Sequence, residues 1–387
     1  MSEISIYNGR IQLKMDKCPS DEDPKIFAIE IIGDSLTTKK KLWTNKDDES
    51  FLWNTLYKPL SEKVKINAYE NDVIVETHDV SFQEKNIAFT IPHGIHHGGF
   101  GDTFSVMNCL RRFKEVYNCN IFIRTYSDSE VDLNEFFSSI TDDFTFIQII
   151  KNDKHHNDNL YLYGDDTVIN NIDYHFEVWV EHSDSVVRRT HYYQRWLDFL
   201  GIPNEQPLKP TLKEIPPISE NIPKPYICFS EFASMPSKMW HYENGWQELV
   251  DYFVDKGYTM VSISFENSSL SNIVDLSGDE YSFLHRLSTL KDSEFYIGMD
   301  SGLSWMANFI DKHCCLIYGS SEEEFSFQDN VTKIGLSEDD YCRGCLEDVT
   351  VLRSWENMAT CFYRKSFECT RLLTTEMVIN TIEGTQL

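Results

Sequence analysis

The sequence predicts an α/β protein with two doubly wound domains, preceded by an antiparallel β domain and followed by a cysteine-rich segment. From Asn86 onward, apolar runs of strand length alternate with segments that repeat apolar residues at helical spacing. A crowded set of prolines divides this alternating pattern into two halves, as an extended linker would. Four cysteines near the C-terminus are the third observation.

The bulk composition excludes several classes of protein. The chain has 387 residues, of which 35 are Lys or Arg and 62 are Asp or Glu, so its formal net charge is −27. Such an acidic chain is a poor candidate for binding nucleic acid or an anionic membrane. No apolar stretch approaches the length of a membrane span, and residues 1–5 lack the features of a signal peptide. We therefore expect a cytoplasmic protein whose ten cysteines are reduced.

The first 83 residues have the alternating pattern of antiparallel strands. Two hairpins are predicted, one turning at Asn8-Gly9 and the other at Asn71-Asp72. The remaining boundaries are a first doubly wound domain at 84–205, a linker at 206–225, a second doubly wound domain at 226–340, and a metal finger with a C-terminal helix at 341–387.

Within the two α/β domains, strands and helices are predicted in alternation. The predicted strands are 87–91, 120–124, 144–150, 226–230, 258–264, 294–298 and 314–319, the last of which closes the second sheet. The predicted helices are 104–117, 187–201, 245–257, 281–291 and 302–309. Because ligands bind outside the carboxyl ends of parallel strands, two such domains predict a ligand cleft between them.

A glycine-rich loop joins the first of these strands to its helix. Its glycines allow close approach to a ligand, and a helix N-terminus offers free N–H groups to an anion. Asp102, on the loop near the helix start, can cap the helix or take a proton from a substrate hydroxyl. The glycine spacing does not match the dinucleotide fingerprint, so no nicotinamide or other redox cofactor is expected. The nearby His93, His96 and His97 fit no standard ligand set, which leaves metal binding there a minor alternative.

Two segments of the second α/β domain are candidate phosphate or sugar sites. Asp300, Ser301 and Gly302 stand at a predicted helix start, where N–H groups can hold an anion and the carboxylate can accept from sugar hydroxyls. An ordinary helix cap explains the same residues equally well. In the other segment, from Phe229 to Trp240, Lys238 could neutralise a diphosphate, although a lone lysine is usually a solvated charge.

The C-terminal segment contains four cysteines with metal-ligand spacing. Cys342 and Cys345 form a Cys-x2-Cys knuckle, and Cys361 and Cys369 follow after fifteen and then seven residues. Four thiolates make a tetrahedral site that suits zinc or a single iron. The alternative is four unrelated free thiols. The other cysteines mostly lie in apolar strands or helices and are predicted to be core residues; they are Cys18, Cys109, Cys119, Cys228, Cys314 and Cys315.

Several of these motifs together resemble a known family. The loop Gly98-Gly99-Phe100-Gly101-Asp102, the Lys238-Met239-Trp240 segment and the run from Asp300 to Trp305 stand in the order seen in heptosyltransferases of glycosyltransferase family 9. The four-cysteine finger and the run from Phe367 to Leu372 are similar to those of the bacterial autotransporter heptosyltransferases. This resemblance covers nearly the whole chain.

The resemblance implies a GT-B fold, in which two Rossmann-like domains face a cleft. It implies transfer of heptose from ADP-heptose to Ser or Thr hydroxyls of an autotransporter adhesin in the cytoplasm, by an enzyme that forms large homo-oligomers and binds iron in its finger. Two alternatives stay open. One is an enzyme of the same fold that uses another nucleotide sugar or a glycan acceptor, and the other is a catalytically silent GT-B scaffold for assembly.

The resemblance also assigns site residues by motif position. Asp102 resembles the general base, Lys238 the diphosphate ligand, and the four finger cysteines the ligands of iron. The complete donor-binding set predicted in this way is Gly99, Gly101, Thr103, Ser230, Lys238, Asp300, Ser301, Gly302, Leu303 and Ser304.

Overall fold

The structure is a computed structural model of the whole chain. The residues that it describes are 3–7, 10–14, 26–33, 36–43, 50–53, 65–70, 73–79, 81–91, 100–127, 133–150, 174–177, 192–321, 329–337, 342, 344–346 and 360–385. They divide into two compact units. The first comprises 1–94, 108–180 and 196–210, and the second comprises 95–107, 181–195 and 211–387.

The N-terminal part of the first unit contains two antiparallel sheets. Their strands are β1 (Glu3–Tyr7), β2 (Arg10–Lys14), β3 (Ile26–Gly33), β4 (Leu36–Trp43), β5 (Ser50–Trp53), β6 (Lys65–Glu70) and β7 (Val73–Asp79). The sheet orders are β1-β2-β5 and β4-β3-β6-β7. Both predicted pairings are observed, β1 with β2 and β6 with β7. The compact unit joins these strands to the parallel sheet that follows, so a separate N-terminal domain stays a prediction.

The parallel sheet of the first unit has the order β10-β9-β8-β11. Its strands are β8 (Asn86–Ile91), β9 (Asn120–Ser127), β10 (Thr145–Ile150) and β11 (Tyr174–Glu177), and its helices are α1 (Phe100–Tyr117) and α2 (Leu133–Ile140). Phe113 of α1 packs its ring against Phe82 and Phe89, at centroid distances of 5.4 and 5.6 Å. These rings fix α1 against β8 through apolar burial.

Helix α1 begins at Phe100 and not at Phe104, so the sequence-based helix start was four residues late. Glycine disfavours a helix interior by about 1 kcal/mol, which is why Gly101 was placed in the loop. Every residue from Thr103 to Leu110 is buried, so this part of α1 is covered on all sides and not on one face only. Asp102 therefore lies in the first turn of the helix.

The second unit contains one six-stranded parallel sheet in the order β14-β13-β12-β15-β16-β17. Its strands are β12 (Tyr226–Phe229), β13 (Thr259–Ser262), β14 (Ile273–Asp275), β15 (Tyr296–Met299), β16 (Cys314–Ile317) and β17 (Val331–Ile334). In chain order this is the 3-2-1-4-5-6 sequence of a doubly wound sheet, with its switch point between β12 and β15. The expectation that the strand at 314–319 closes this sheet was wrong, because β17 pairs beyond it and its short, half-buried sequence gave no clear strand signal.

The helices of this part of the chain are α3 (Tyr192–Phe199), α4 (Gly245–Asp255), α5 (Phe283–Asp292), α6 (Gly302–Phe309), α7 (Glu368–Arg371) and α8 (Thr375–Glu383), with one turn of 3-10 helix at Pro236–Lys238. Val378 and Ile382 of α8 join the same buried cluster as Leu249 and Phe253 of α4. The C-terminal helix therefore belongs to the core of the second unit. None of the helices that the structure describes is long and apolar enough to cross a membrane.

The proline-rich segment has no helix and is held by specific contacts within each unit. The Leu208 N–H donates to the Asn108 carbonyl at 3.0 Å in the first unit. In the second unit, the Lys291 ammonium donates to the Ile215 carbonyl at 2.8 Å, and His285 contacts Glu220 at 2.7 Å. Within this segment, the first unit ends at Pro210 and the second continues from Thr211.

Candidate functional site

Two of the predicted segments meet at the switch point of the six-stranded sheet. Ser230 follows β12 and Asp300 follows β15, and these two strands are parallel neighbours. The Ser230 N–H donates to the Ile297 carbonyl at 3.1 Å, which holds the two strand ends together. The carboxyl ends of strands at a switch point border the crevice in which open α/β sheets bind ligands.

Lys238 and Asp300 form an ion pair at this edge of the sheet. The Lys238 Nζ lies 3.2 Å from the Asp300 Oδ2, and their side chains are only 18% and 14% exposed. A carboxylate this far from water needs a partner, and Lys238 supplies one. The structure thus brings together two residues that are 62 positions apart in the sequence. Lys238 is a fixed group and not a solvated surface charge.

The N-terminus of α6 lies beside this ion pair. Ser301 occupies the capping position with an extended backbone, yet its side chain makes no capping bond. Its hydroxyl is buried beside the Tyr296 phenol, whose pKa it lowers. The first backbone N–H groups of a helix have no acceptor within that helix, so the N-terminus of α6 can offer them to an anionic ligand. Gly302, the first residue of α6, contributes one of these N–H groups.

The side chains of Leu303 and Ser304 point away from such a ligand. They are 2% and 0% exposed, and the Ser304 hydroxyl donates to the Met299 carbonyl. Any part they take in binding is therefore through the backbone. Beneath them, burial raises the pKa of Tyr296, and the hydroxyls of Ser304, Ser301 and Ser230 offset this only in part. The phenol stays protonated at neutral pH.

A second group of polar residues lines the same sheet edge and was not predicted. Ser264, which follows β13, donates from its hydroxyl to the Ser230 Oγ at 3.1 Å. Ser268 donates to both carboxylate oxygens of Glu231 at 2.8 and 3.0 Å. Glu231 is 6% exposed, and burial raises its pKa. In the sequence, the feature that could have indicated these residues is the position of Ser230-Glu231 directly after a buried strand.

Arg286 of α5 fixes the loops around these residues. The residue is 1% exposed, and its guanidinium donates to the carbonyls of Ile263 at 2.9 Å, Ser264 at 3.1 Å and Gly278 at 2.6 Å. Burial lowers its pKa to about 10, so it is still a cation at neutral pH. A buried cation that satisfies several carbonyls pins the segments after β13 and β14, which keeps the sheet edge rigid.

The N-terminus of α1 also contacts α6. A Cβ placed on Gly101 would lie 2.5 Å from the Trp305 Cδ1, so the backbone at Gly101 lies against the Trp305 indole as closely as glycine allows. Trp305 is held edge-on by Tyr193 at 5.6 Å, and one turn along α1, Phe104 packs against Phe309 at 4.8 Å. The turn that contains Asp102 therefore rests on the helix that begins at Gly302.

The structure leaves part of the predicted loop undescribed. Gly99, His93, His96 and His97 lie outside the described residues, as does the side chain of Asp102. Thr103 is 2% exposed. Gly101 was assigned to donor binding, but its observed contact is with Trp305.

Replacing Gly101 by Ala should destabilise the protein by about 1–3 kcal/mol, the usual cost of overpacking a core. The added methyl collides with an indole ring that Tyr193 prevents from moving aside. Chemical denaturation measures the loss. In a Trp305→Leu background the same substitution should cost much less, because the smaller side chain leaves room for the methyl. An equal cost in both backgrounds would contradict this contact.

Three cysteines of the C-terminal segment, Cys342, Cys361 and Cys369, are close enough to influence one another. Burial, together with the charges of Cys342 and Cys361, raises the pKa of Cys369 to about 12. Cys342 and Cys361 are half-buried, and Cys345 and Cys369 are buried. Within the part of the chain that the structure describes, no group of three or more His, Cys, Asp or Glu side chains is arranged to hold a metal ion. The donor chemistry suits a tetrahedral thiolate site, but the structure does not show a closed one.

Five of the six cysteines that were predicted to be core residues are described by the structure. Cys109, Cys119, Cys228, Cys314 and Cys315 are buried, as predicted. Cys18 and the finger interior at 347–359 lie outside the described residues.

Known proteins resemble this chain in sequence over part of its length. No family model matches it. An autotransporter heptosyltransferase of Citrobacter rodentium is 29% identical over 189 residues, and that of Escherichia coli named Aah is 26% identical over 196 residues. These alignments cover 45% and 47% of this chain. They span 44% and 48% of the relatives, so the matched region is about half the length of each.

Solved structures resemble the chain over more of its length than the sequence relatives do. The iron-containing dodecameric glycosyltransferase TibC of enterotoxigenic E. coli superposes with a TM-score of 0.75 at 17% identity, over 99% of this chain and 94% of TibC. The E. coli ADP-heptose LPS heptosyltransferase II gives a TM-score of 0.51 at 13% identity, over 77% of this chain and 97% of that one. The chain thus has the fold of the GT-B heptosyltransferases, and its resemblance to the autotransporter heptosyltransferases is confirmed.

Proposed function

We propose that this protein is a glycosyltransferase that moves heptose from ADP-heptose to Ser or Thr hydroxyls of an autotransporter adhesin. The observation that carries this proposal is the Lys238–Asp300 ion pair beside the N-terminus of α6, at the switch point of a doubly wound sheet. A cation and free N–H groups at such an edge suit the diphosphate of a nucleotide sugar. A TibC structure with ADP-D-β-D-heptose superposes on this chain with a TM-score of 0.75.

The chemistry assigns a role to each part of this site. A substrate hydroxyl is a weak nucleophile at neutral pH, and Asp102 would accept its proton as the new C–O bond forms. The C–O bond to the diphosphate breaks at the same time, and negative charge grows on the leaving group. Lys238 and the N–H groups of Ser301 and Gly302 would stabilise that charge more strongly as the bond breaks. The Gly101–Trp305 contact would hold the base near the donor.

Incubation with a panel of nucleotide sugars and an autotransporter passenger domain tests this function, with intact-mass spectrometry as the readout. We expect a mass increase of one or more heptose units with ADP-heptose, mapped to Ser or Thr by peptide sequencing. Transfer of another sugar, or transfer to a glycan only, would favour the alternative of a related enzyme. Nucleotide binding without transfer to any acceptor would favour a silent scaffold.

Cys342, Cys345, Cys361 and Cys369 would hold one metal ion, iron or zinc, and would thereby stabilise the C-terminal segment. The electrostatic coupling of Cys342, Cys361 and Cys369 supports a shared site, and the solved TibC is iron-containing. Because the thiols must lose protons to bind a cation, metal affinity should rise with pH. TibC is also dodecameric, and we extend a large homo-oligomer to this chain, to be measured by light scattering.

Elemental analysis should find about one iron or zinc per chain, because four thiolates complete one tetrahedral site. Cys361→Ser should lower the metal content several-fold and increase proteolysis of the C-terminal segment. Cys315→Ala is the matched control, because Cys315 is a buried thiol of β16 outside the finger. Metal-free protein that is as stable as the purified form would refute the site. The cytoplasmic location stays a prediction.

A further inference from the structure

The segment that contains Lys238 is attached to the cysteine segment by two contacts. The Trp240 indole N–H donates to the Leu373 carbonyl at 2.9 Å, and both groups are buried. The His241 ring stacks on the Phe367 ring with a centroid distance of 4.2 Å and an interplanar angle of 19°. Lys238 lies only two and three residues before these contacts, so whatever fixes Trp240 and His241 also limits where Lys238 can lie.

Lys238 has little local structure of its own to fix it. It ends a single turn of 3-10 helix, Pro236–Lys238, and such short turns are weakly stable by themselves. The following backbone is extended at Met239. The His241 Nε2 contacts the Pro236 carbonyl at 2.7 Å, which joins the stacked ring back to the start of the turn. The stacking of His241 on Phe367 therefore restrains the 3-10 turn that ends at Lys238.

The conformation of Phe367 indicates that its position is imposed by its surroundings. Its φ is 56°, in the left-handed region that bulky residues rarely adopt. A residue persists there only when contacts around it over-determine the backbone, and the cost is of order 1–3 kcal/mol. Ser366 before it has a φ of 51°. The next helix turn contains Cys369, two residues after Phe367.

The cysteine segment is itself anchored on the same sheet. The Gly344 N–H donates to the Gly319 carbonyl at 2.9 Å, and the Leu346 N–H donates to the Ser320 carbonyl at 2.8 Å. Gly319 has no room for a side chain, because Thr370 and Cys369 lie against it. The knuckle around Cys345 and the turn around Cys369 thus both rest on the end of β16.

We propose that Phe367 and His241 are positioning residues, which hold Lys238 in the place where it contacts the diphosphate of the nucleotide sugar. This inference rests on the proposed function. The cysteine segment then has a second role besides its own stability, because it supports Lys238 through the contacts of Phe367 and Leu373. A substitution at Phe367 should lower the affinity for the diphosphate, and this loss should occur only when Lys238 is present.

The test measures ADP affinity by calorimetry in Phe367→Leu, Phe367→Tyr and His241→Leu proteins. Leucine keeps an apolar contact but removes the stacked ring, whereas tyrosine keeps the ring. We expect both leucine variants to weaken ADP binding by about threefold to tenfold, the range that loss of one aromatic pair can transmit. The tyrosine variant should retain the affinity of the unmodified protein.

A double-mutant cycle separates positioning from general damage. In a Lys238→Ala background, Phe367→Leu should change ADP affinity by less than about twofold, since the group that it positions is already absent. An effect of equal size in both backgrounds would overturn the proposal. Metal content and melting temperature are measured on every variant. His241 lies outside the cysteine segment, so the His241→Leu protein should keep its metal. Its ADP affinity therefore still tests the proposal if the Phe367→Leu protein loses metal or fails to fold.

The outcomes distinguish this inference from the function on which it rests. If the unmodified protein does not bind ADP, both fail. If ADP binding depends on Lys238 but is unchanged by His241→Leu and Phe367→Leu, only the positioning role fails.

Discussion

Asp102→Asn should slow glycosyl transfer by roughly a hundredfold or more, the usual contribution of a general base. Asparagine has the size of aspartate but cannot take a proton from the acceptor hydroxyl. The measurement is the single-turnover rate at saturating donor. ADP affinity and metal content should stay close to those of the unmodified protein, because neither depends on this carboxylate.

The position of Asp102 in the structure also predicts a small effect of the substitution on stability. It lies in the first turn of α1, where a negative charge favours the helix by about 0.3–1 kcal/mol. Asparagine forfeits that charge, so a small loss of stability is expected whatever the catalytic role. Glu135 in the first turn of α2 offers a matched control. Glu135→Gln should cost a similar amount of stability and leave transfer unchanged.

Near-normal transfer by the Asp102→Asn protein would reduce Asp102 to a structural role in α1. The base would then be sought among His93, His96 and His97, which stand in the same loop sequence. Each would be replaced by Gln and measured in the same assay.

Lys238→Ala should weaken ADP binding by about tenfold to a hundredfold, because a hydrogen bond to a charged group contributes about 1.5–3 kcal/mol. The substitution also leaves the Asp300 carboxylate, which is 14% exposed, without the partner that it has in the ion pair. That carboxylate would then repel the diphosphate, so the loss should lie near the upper end of the range. Calorimetry with ADP measures it.

A lysine that only forms a surface ion pair provides the control for this prediction. Lys256 pairs with Glu383 at 2.5 Å, and both side chains are more than 40% exposed. Exposed pairs of this kind contribute about 0–1 kcal/mol to stability, so Lys256→Ala should leave ADP affinity unchanged. Equal affinities of the Lys238→Ala and unmodified proteins would remove Lys238 from the donor site.

Much of the fold follows from local sequence patterns. Apolar runs bounded by polar turns predicted β12, β13 and β15 within two or three residues, and helical periodicity predicted α6 with its observed ends. The errors are at weak local signals. Strands β14 and β17 are short and only partly buried, and glycine in its first turn concealed the start of α1.

The sequence by itself determined which residue types follow each strand, and therefore that Ser230, Lys238 and Asp300 were candidates for a ligand site. Only the tertiary structure decided which of them meet. The Lys238–Asp300 pair and the Arg286 contacts join distant positions through the order of strands in the sheet, which periodicity does not encode. The same holds for Gly101: its local sequence is that of a loop, but its role is set by an indole ring two hundred positions away. Packing between elements, and not local preference, assembles the site.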